Sequence, residues 1–304
     1  METIKPKKLK KGDTIGIISL SGAVKPEQVQ KIYNTQNFFE EKGYKTVLSA
    51  NIFDRKRYLA GEDEKKADCL KEFFKNPEIN AILCSRGGYG AIRVINKIDY
   101  EVIKKNPKIF AGYSDTTAYS TMILKRAGVI NFSAPMACSD FGEDDISDFT
   151  VQSFFETLSD TKALEIKPAT PEVYYDGNEQ GVLWGGNLAT VVSLCGQDFI
   201  PDEKFLFFAE DLNEDVYKID KMFRQLLNIK QFKENLAGIV LGEFLDVSSE
   251  KYLQELFYEL GEEIKKPVVG GFKISHDRDK ITVPIGAWAN LDGEKLSIDS
   301  YLED

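Results

Sequence analysis

The sequence predicts an α/β protein whose first half builds a parallel sheet and whose second half is a further, more strand-rich α/β unit. Three observations predict it. Short, unbroken apolar runs recur through the first 133 residues, each separated from the next by a stretch of helical length. Strands spaced in this way need right-handed crossovers and therefore line up in parallel. The runs end in turns rich in Gly and Ser, the punctuation of strand-to-helix corners. A polar stretch with Pro and Gly but no periodicity then intervenes before apolar runs resume in a different order.

The run TIGIISL at 14–20 has the continuous apolarity of a strand covered on both faces. SGAVKPEQ after it opens a helix that Gly43 stops. A strand at 45–49, a helix at 62–75 and a strand at 79–84 follow, and SRGGYG leads into the next helix. The fourth strand, 108–111, runs into GYSDTT and a helix ending near Gly128; a strand at 129–133 closes the series. Residues 161–180 are expected as a linker with irregular strands, which divides the chain into units 1–160 and 181–304. In the second unit GGNLATVVSLCG predicts a helix, FLFFAE a buried strand, DVYKIDKMFRQLL a helix, AGIVLGEF a strand and 250–265 a helix. The end, with PVVGGF, KITVPIGAWANLD and KLSID, is strand-rich.

Composition narrows the function. With 42% hydrophobic and 29% charged residues the chain can bury a substantial core. A net charge of -10 argues against a nucleic-acid partner, because that affinity rests on clustered Lys and Arg. No run approaches the ~18 apolar residues of a membrane span, and no signal-peptide pattern follows the N-terminal lysines, so the expectation is cytoplasmic with no membrane partner. Cys69, Cys84, Cys138 and Cys195 are dispersed without a C-x-x-C pair and are expected as buried free thiols. His276 is the only histidine, which excludes any site with two or three His ligands; no metal and no cofactor are expected.

Ligands of open parallel sheets bind at the carboxyl ends of the strands, so the turns there carry most weight. Gly87, Gly88 and Gly90 in SRGGYG permit positive φ and close backbone approach at a helix start, as in a plain tight turn or a group-binding one. Ser114 stands between an apolar strand and a helix, where a nucleophile elbow projects its hydroxyl and where an N-cap also sits. The N–H groups of Gly88 and Asp115, from neighbouring turns, are candidates for a two-donor oxyanion hole. His276 is the one imidazole base for such a serine. Glu210, at the end of the apolar run 205–209, is the candidate to orient it, with Asp211 and Glu214 as competitors. Arg86 is a candidate partner for a substrate carboxylate.

The blocks KKGDTIGIISLSG, SRGGYGAIR, FAGYSDTTA, GVLWGGNLATVVSLCG, FFAEDLNEDVYKIDKMFRQL and GFKISH followed by VPIG resemble, in this order, the LD-carboxypeptidase family. These are the murein tetrapeptide carboxypeptidases, with the microcin C self-immunity peptidases among their relatives. The resemblance implies a flavodoxin-like or amidotransferase-like N-terminal α/β domain and a C-terminal α/β domain with a partial β-barrel. It implies a Ser114–Glu210–His276 triad between them, with Gly88 and Asp115 as oxyanion donors, no cofactor, a murein peptide substrate and a homodimer. The family places Gly before the histidine where this chain has Ser275. Two other readings stay open at this stage: an immunity-type peptidase cutting a peptidyl-nucleotide amide, and a murein-peptide-binding protein that does not cut. For the first, base stacking asks for a Trp or Phe near the site; of Trp184 and Trp288, Trp184 reads as a packing residue.

Overall fold

The computed structural model describes residues 3–304. Five strands form where the apolar runs predict them: β1 (Thr14–Ile18), β2 (Lys45–Leu48), β3 (Ala81–Cys84), β4 (Ile109–Ala111) and β5 (Asn131–Ser133). All four neighbouring pairs among them are parallel. β3 and β4 are buried along their whole length, whereas β2, at the sheet edge, alternates. The order β2–β1–β3–β4–β5 is flavodoxin-like and reverses between β1 and β3, which opens a crevice at the carboxyl ends of those strands.

The irregular strands expected at 161–180 are β6 (Leu164–Ile166), β7 (Glu172–Tyr175) and the opening of β8 (Asn178–Asn187). β6 and β7 are the two edges of a second sheet and leave residues exposed along their length, so their sequences carry no apolar run. Gly185 and Gly186, expected in a helix, belong to β8, and the helix covers only Leu188–Ser193. β9 (Phe205–Leu212), β10 (Leu236–Leu245) and β11 (Val268–Gly270) continue the second sheet in parallel from β8.

One strand then changes sheets. β12 (Val283–Ile285) pairs antiparallel with β5 and becomes the outer strand of the first sheet. Its Pro284 is tolerated there because the outer side of an edge strand needs no N–H for a ladder. β13 (Trp288–Asp292) and β14 (Lys295–Ile298) return to the second sheet, whose order is β6–β14–β13–β8–β9–β10–β11–β7. That sheet is curled. Residues 167–171 join its two outer strands and can span at most ~21 Å, whereas eight flat strands spaced at ~4.8 Å would set them ~34 Å apart. β6 and β7 are not paired with each other, so the sheet is an open, partial barrel.

The helix Thr117–Ala127, which follows the candidate nucleophile, packs against β8, β12 and the helix Leu188–Ser193. Trp184 is fully buried among Phe199, Phe205, Phe207 and Phe232, a packing role as its sequence context predicts. Cys69, Cys84 and Cys138 are buried and free; burial pushes the Cys138 thiol up to about 12. Cys195, also free, is only half-buried because its helix end faces outward. Among the described residues no helix is long and apolar enough to cross a membrane.

Candidate active site

Ser114 follows β4 on a turn that only small neighbours permit. Its own φ is +62°, a left-handed conformation that a non-glycine residue holds only under the constraint of its surroundings. A side chain on Gly112 would place its Cβ 2.7 Å from Thr116 Oγ1 and 3.0 Å from Cys84 Cβ. The turn continues as a single 3-10 turn, Ser114–Thr116, into the helix Thr117–Ala127. This is the strand–turn–helix geometry that exposes a nucleophile at the end of a parallel strand.

The glycine turn after β3 lies directly against it. A Cβ on Gly87 would stand 2.7 Å from Ser114 Cβ and 2.8 Å from Ser114 Oγ. Gly88 has φ +108°, and the Gly87 carbonyl accepts from Gly22 N in the turn after β1 at 3.1 Å. Asp115 fastens the turns together: its buried carboxylate accepts from Ala91 N at 2.9 Å. Burial pushes that carboxyl up, opposed by hydrogen bonds from Ser21, Ala91 and Gly90. The Asp115 side chain is thus occupied with structure, leaving its backbone N–H beside Ser114 as the group of chemical interest.

His276 lies in the loop between β11 and β12, and Glu210 is near the end of β9 with its side chain buried. His276 Nδ1 and Glu210 Oε2 are 2.6 Å apart. His276 Nε2 is buried and makes no hydrogen bond, so the ring is held from one side and its second nitrogen is left for other work. Ser114 Oγ is therefore not hydrogen-bonded to it. The ring of Tyr113, the residue before Ser114, meets the imidazole edge-on with centroids 4.9 Å apart. Of the competitors, Asp211 accepts from Asn187 Nδ2 at 2.9 Å and Ala189 N at 2.8 Å, holding the start of the helix Leu188–Ser193. Burial is the largest influence raising the Asp211 carboxyl. Glu214 pairs with Lys218 at 3.4 Å.

Arg86 donates through Nη1 to Gln28 Oε1 at 2.7 Å and Ala23 O at 3.3 Å, and its Nε is buried without a partner. It lines a cavity of about 750 Å³ that also touches Gly22 and Gly88. The sequence thus brings Ser114 together with the Gly87–Gly88 turn, and Glu210 together with His276; Arg86 shares its cavity with Gly88.

Residues 15–134 match the model of the LD-carboxypeptidase N-terminal domain, and residues 180–291 match that of the C-terminal domain. The chain belongs to the LD-carboxypeptidase family. The probable murein peptide carboxypeptidase of Bacillus subtilis is 35% identical over 308 residues, covering 97% of this chain and 93% of the relative. The microcin C7 self-immunity protein MccF of Escherichia coli is 27% identical, covering 94% and 92%. Among solved structures, an MccF-like protein of Bacillus anthracis superposes with a TM-score of 0.91 at 25% identity, covering 98% of this chain and all of the other.

Around Tyr113 and Glu210 lie residues that the sequence did not single out. Lys280 is buried, pairs with the buried Asp140, and donates to Tyr113 Oη at 3.3 Å. Its ammonium lies 4.6 Å from the centre of the Tyr113 ring. Asp140 in turn accepts from Met136 N at 2.8 Å. Burial, with the nearby Asp140 and Glu210 carboxylates, pushes the Tyr113 hydroxyl far up, so it stays protonated. Gly242 on β10 completes the setting, since a Cβ there would stand 2.2 Å from Ile274 O and 3.0 Å from Glu210 Cβ. The one available signal was Gly242 inside an apolar strand, a mark of close backbone approach.

Proposed function

We propose that the protein is a serine-type LD-carboxypeptidase that releases the terminal D-alanine of murein tetrapeptides in the cytoplasm, as part of cell-wall recycling. The observation that carries this reading is the 2.6 Å Glu210–His276 pair with Nε2 unpartnered, beside a serine held at φ +62°. Ser114 attacks the carbonyl of the amide that links an L-configured centre to D-alanine. His276 Nε2 takes the serine proton and then delivers it to the departing amine. Glu210 holds the imidazole in the tautomer with the proton on Nδ1 and stabilises the imidazolium that forms. The oxyanion is received by the N–H groups of Gly88 and Asp115, and water then hydrolyses the acyl-enzyme. The murein peptide carboxypeptidase relative supports the substrate class.

The immunity-type reading has less support: Trp184 is enclosed in the core, Trp288 does not line the cavity beside Arg86, and the rings that do, Tyr58 and Tyr89, are neither Trp nor Phe. The test is mass spectrometry of a defined murein tetrapeptide and an aminoacyl sulfamoyl adenosine, each incubated with the protein and with Ser114→Ala. Loss of one alanine from the tetrapeptide, abolished in the variant, is expected. Unchanged D-alanine release by Ser114→Ala, or cleavage of the nucleotide conjugate alone, overturns the reading.

A further inference from the structure

The cavity of about 750 Å³ at the β1–β3 crevice is walled by Lys25, Arg55, Arg57 and Arg86, together with Tyr58 and Tyr89. Four cations gather here in a chain whose net charge is -10. None of the four has a described carboxylate within 4.0 Å. Cations close to them in sequence do: Lys31 pairs with Glu143, Lys56 with Glu62 and Lys65 with Asp54. The four make only neutral contacts. Arg55 Nε donates to Arg57 O at 3.1 Å, the Arg57 guanidinium lies 5.6 Å from the Tyr58 ring centre, and Arg86 bonds only Gln28 and Ala23.

The backbone turn that carries Arg57 is also held in place. Lys56 and Leu59 exchange backbone hydrogen bonds of 2.9 and 3.0 Å, closing a tight turn in which Arg57 has φ +60°. That turn is tied to the one after β1 by Ala23 N to Tyr58 O at 2.9 Å and Ala60 N to Ser21 O at 3.0 Å. Like charges gathered around one space repel, and a ligand that neutralises them removes that cost; Arg adds bidentate geometry for carboxylates.

We propose that this cavity recognises the acyl part of the substrate through two or more free carboxylates, held by Lys25, Arg55 and Arg57 with Arg86 at the inner wall. The proposal rests on the carboxypeptidase reading and names its substrate class. The volume suits it, since sites of roughly 300–1,000 Å³ take ligands far larger than one released amino acid. A murein peptide with free carboxylates on its second and third residues fits; one with those groups amidated does not. Phosphate shares the same chemistry, so a nucleotide is the control.

The experiment has two arms. In the first, Ser114→Ala protein is titrated calorimetrically with a tetrapeptide bearing free side-chain carboxylates, with its amidated twin and with adenosine monophosphate. In the second, kcat and KM are measured on both peptides for the wild type and for Arg55→Gln/Arg57→Gln, two exposed positions whose loss leaves the core untouched. The free peptide is expected to bind about tenfold or more tightly than the amidated one, a difference of about 1.4 kcal/mol. The double variant is expected to raise KM for the free peptide alone, with kcat unchanged. Equal binding of the two peptides, or a KM unmoved in the variant, overturns the proposal. Tighter binding of the nucleotide than of either peptide overturns it in favour of phosphate. A carboxylate preference in the titration without D-alanine release by the wild type leaves the cavity assignment standing and removes the hydrolytic reading.

Discussion

Tyr113 and His276 touch across the two halves of the site, ring edge to ring face with centroids 4.9 Å apart at 69°. The residue that precedes the candidate nucleophile in sequence is thus a wall of the candidate base. Tyr113→Phe keeps that wall and loses the hydroxyl with its contacts to Lys280, Ser139 and Asp140; Tyr113→Ala removes both. The expected order of kcat is wild type, then Phe within about tenfold, then Ala lower by about 10²-fold, since a 1 Å misplacement of a catalytic group costs on that order. Equal activity of the Ala and Phe variants would show the ring contact to be idle.

Glu210 is expected to act through the imidazole alone. Glu210→Gln keeps the shape but lets the ring settle with the wrong nitrogen protonated, and the loss in kcat should approach about 10⁴-fold, as for a triad acid. KM should change little. A Glu210→Gln enzyme within tenfold of wild type would remove Glu210 from the mechanism.

Gly87 offers a test of the close approach between the two turns. In Gly87→Ala the new methyl would lie 2.7 Å from Ser114 Cβ, so the serine must move. Turnover is expected to fall by about 10²-fold or more while far-ultraviolet circular dichroism stays that of the wild type. Full activity in this variant would mean that the turn is free to give way.

The Lys280–Asp140 pair is buried on both sides. Lys280→Met leaves the Asp140 charge without its partner and is expected to cost about 3–5 kcal/mol in denaturant unfolding. Adding Asp140→Asn should restore much of that loss, because the amide oxygen still accepts from Met136 N. Two independent, additive losses would contradict the pairing.

Lys108 supplies a pH test of the fold. Burial lowers its ammonium to about 8, below the ordinary lysine value. Between pH 8 and the unfolded value the unfolded chain binds more protons at this position than the native state, so its contribution to stability rises with pH through that window. Against Lys108→Met, the wild type is therefore expected to gain about 2–3 kcal/mol between pH 7 and pH 10. A difference that stays flat or shrinks over that range would refute the assigned direction.

How much of this was legible depended on the kind of signal. β1, β3 and β4 announce themselves as apolar runs because both faces are covered, and Ser114, Glu210 and His276 stand where those runs and their partners in the second half end. β6 and β7 left no such mark, because edge strands half in water need no apolar run. VPI at 283–285 reads as a strand, but nothing in three apolar residues says which of two sheets will take it. Lys280 and Asp140, 140 positions apart, look like ordinary surface charges until the fold closes over both. The bounds of the irregular strands expected at 161–180 were not legible for the first of these reasons, and Lys280 and Asp140 were missed for the last.

β12 has a consequence for how this architecture can be recombined. The loop that carries His276 leaves one sheet at β11 and is stitched into the other at β12, beside β5. Its two anchors therefore belong to different halves of the molecule. A chimera that joins the first half of one relative to the second half of another inherits a mismatched seam at β5, and with it a displaced imidazole, even if each half packs well. A change at the β5 edge therefore acts on the strand that anchors the histidine's loop.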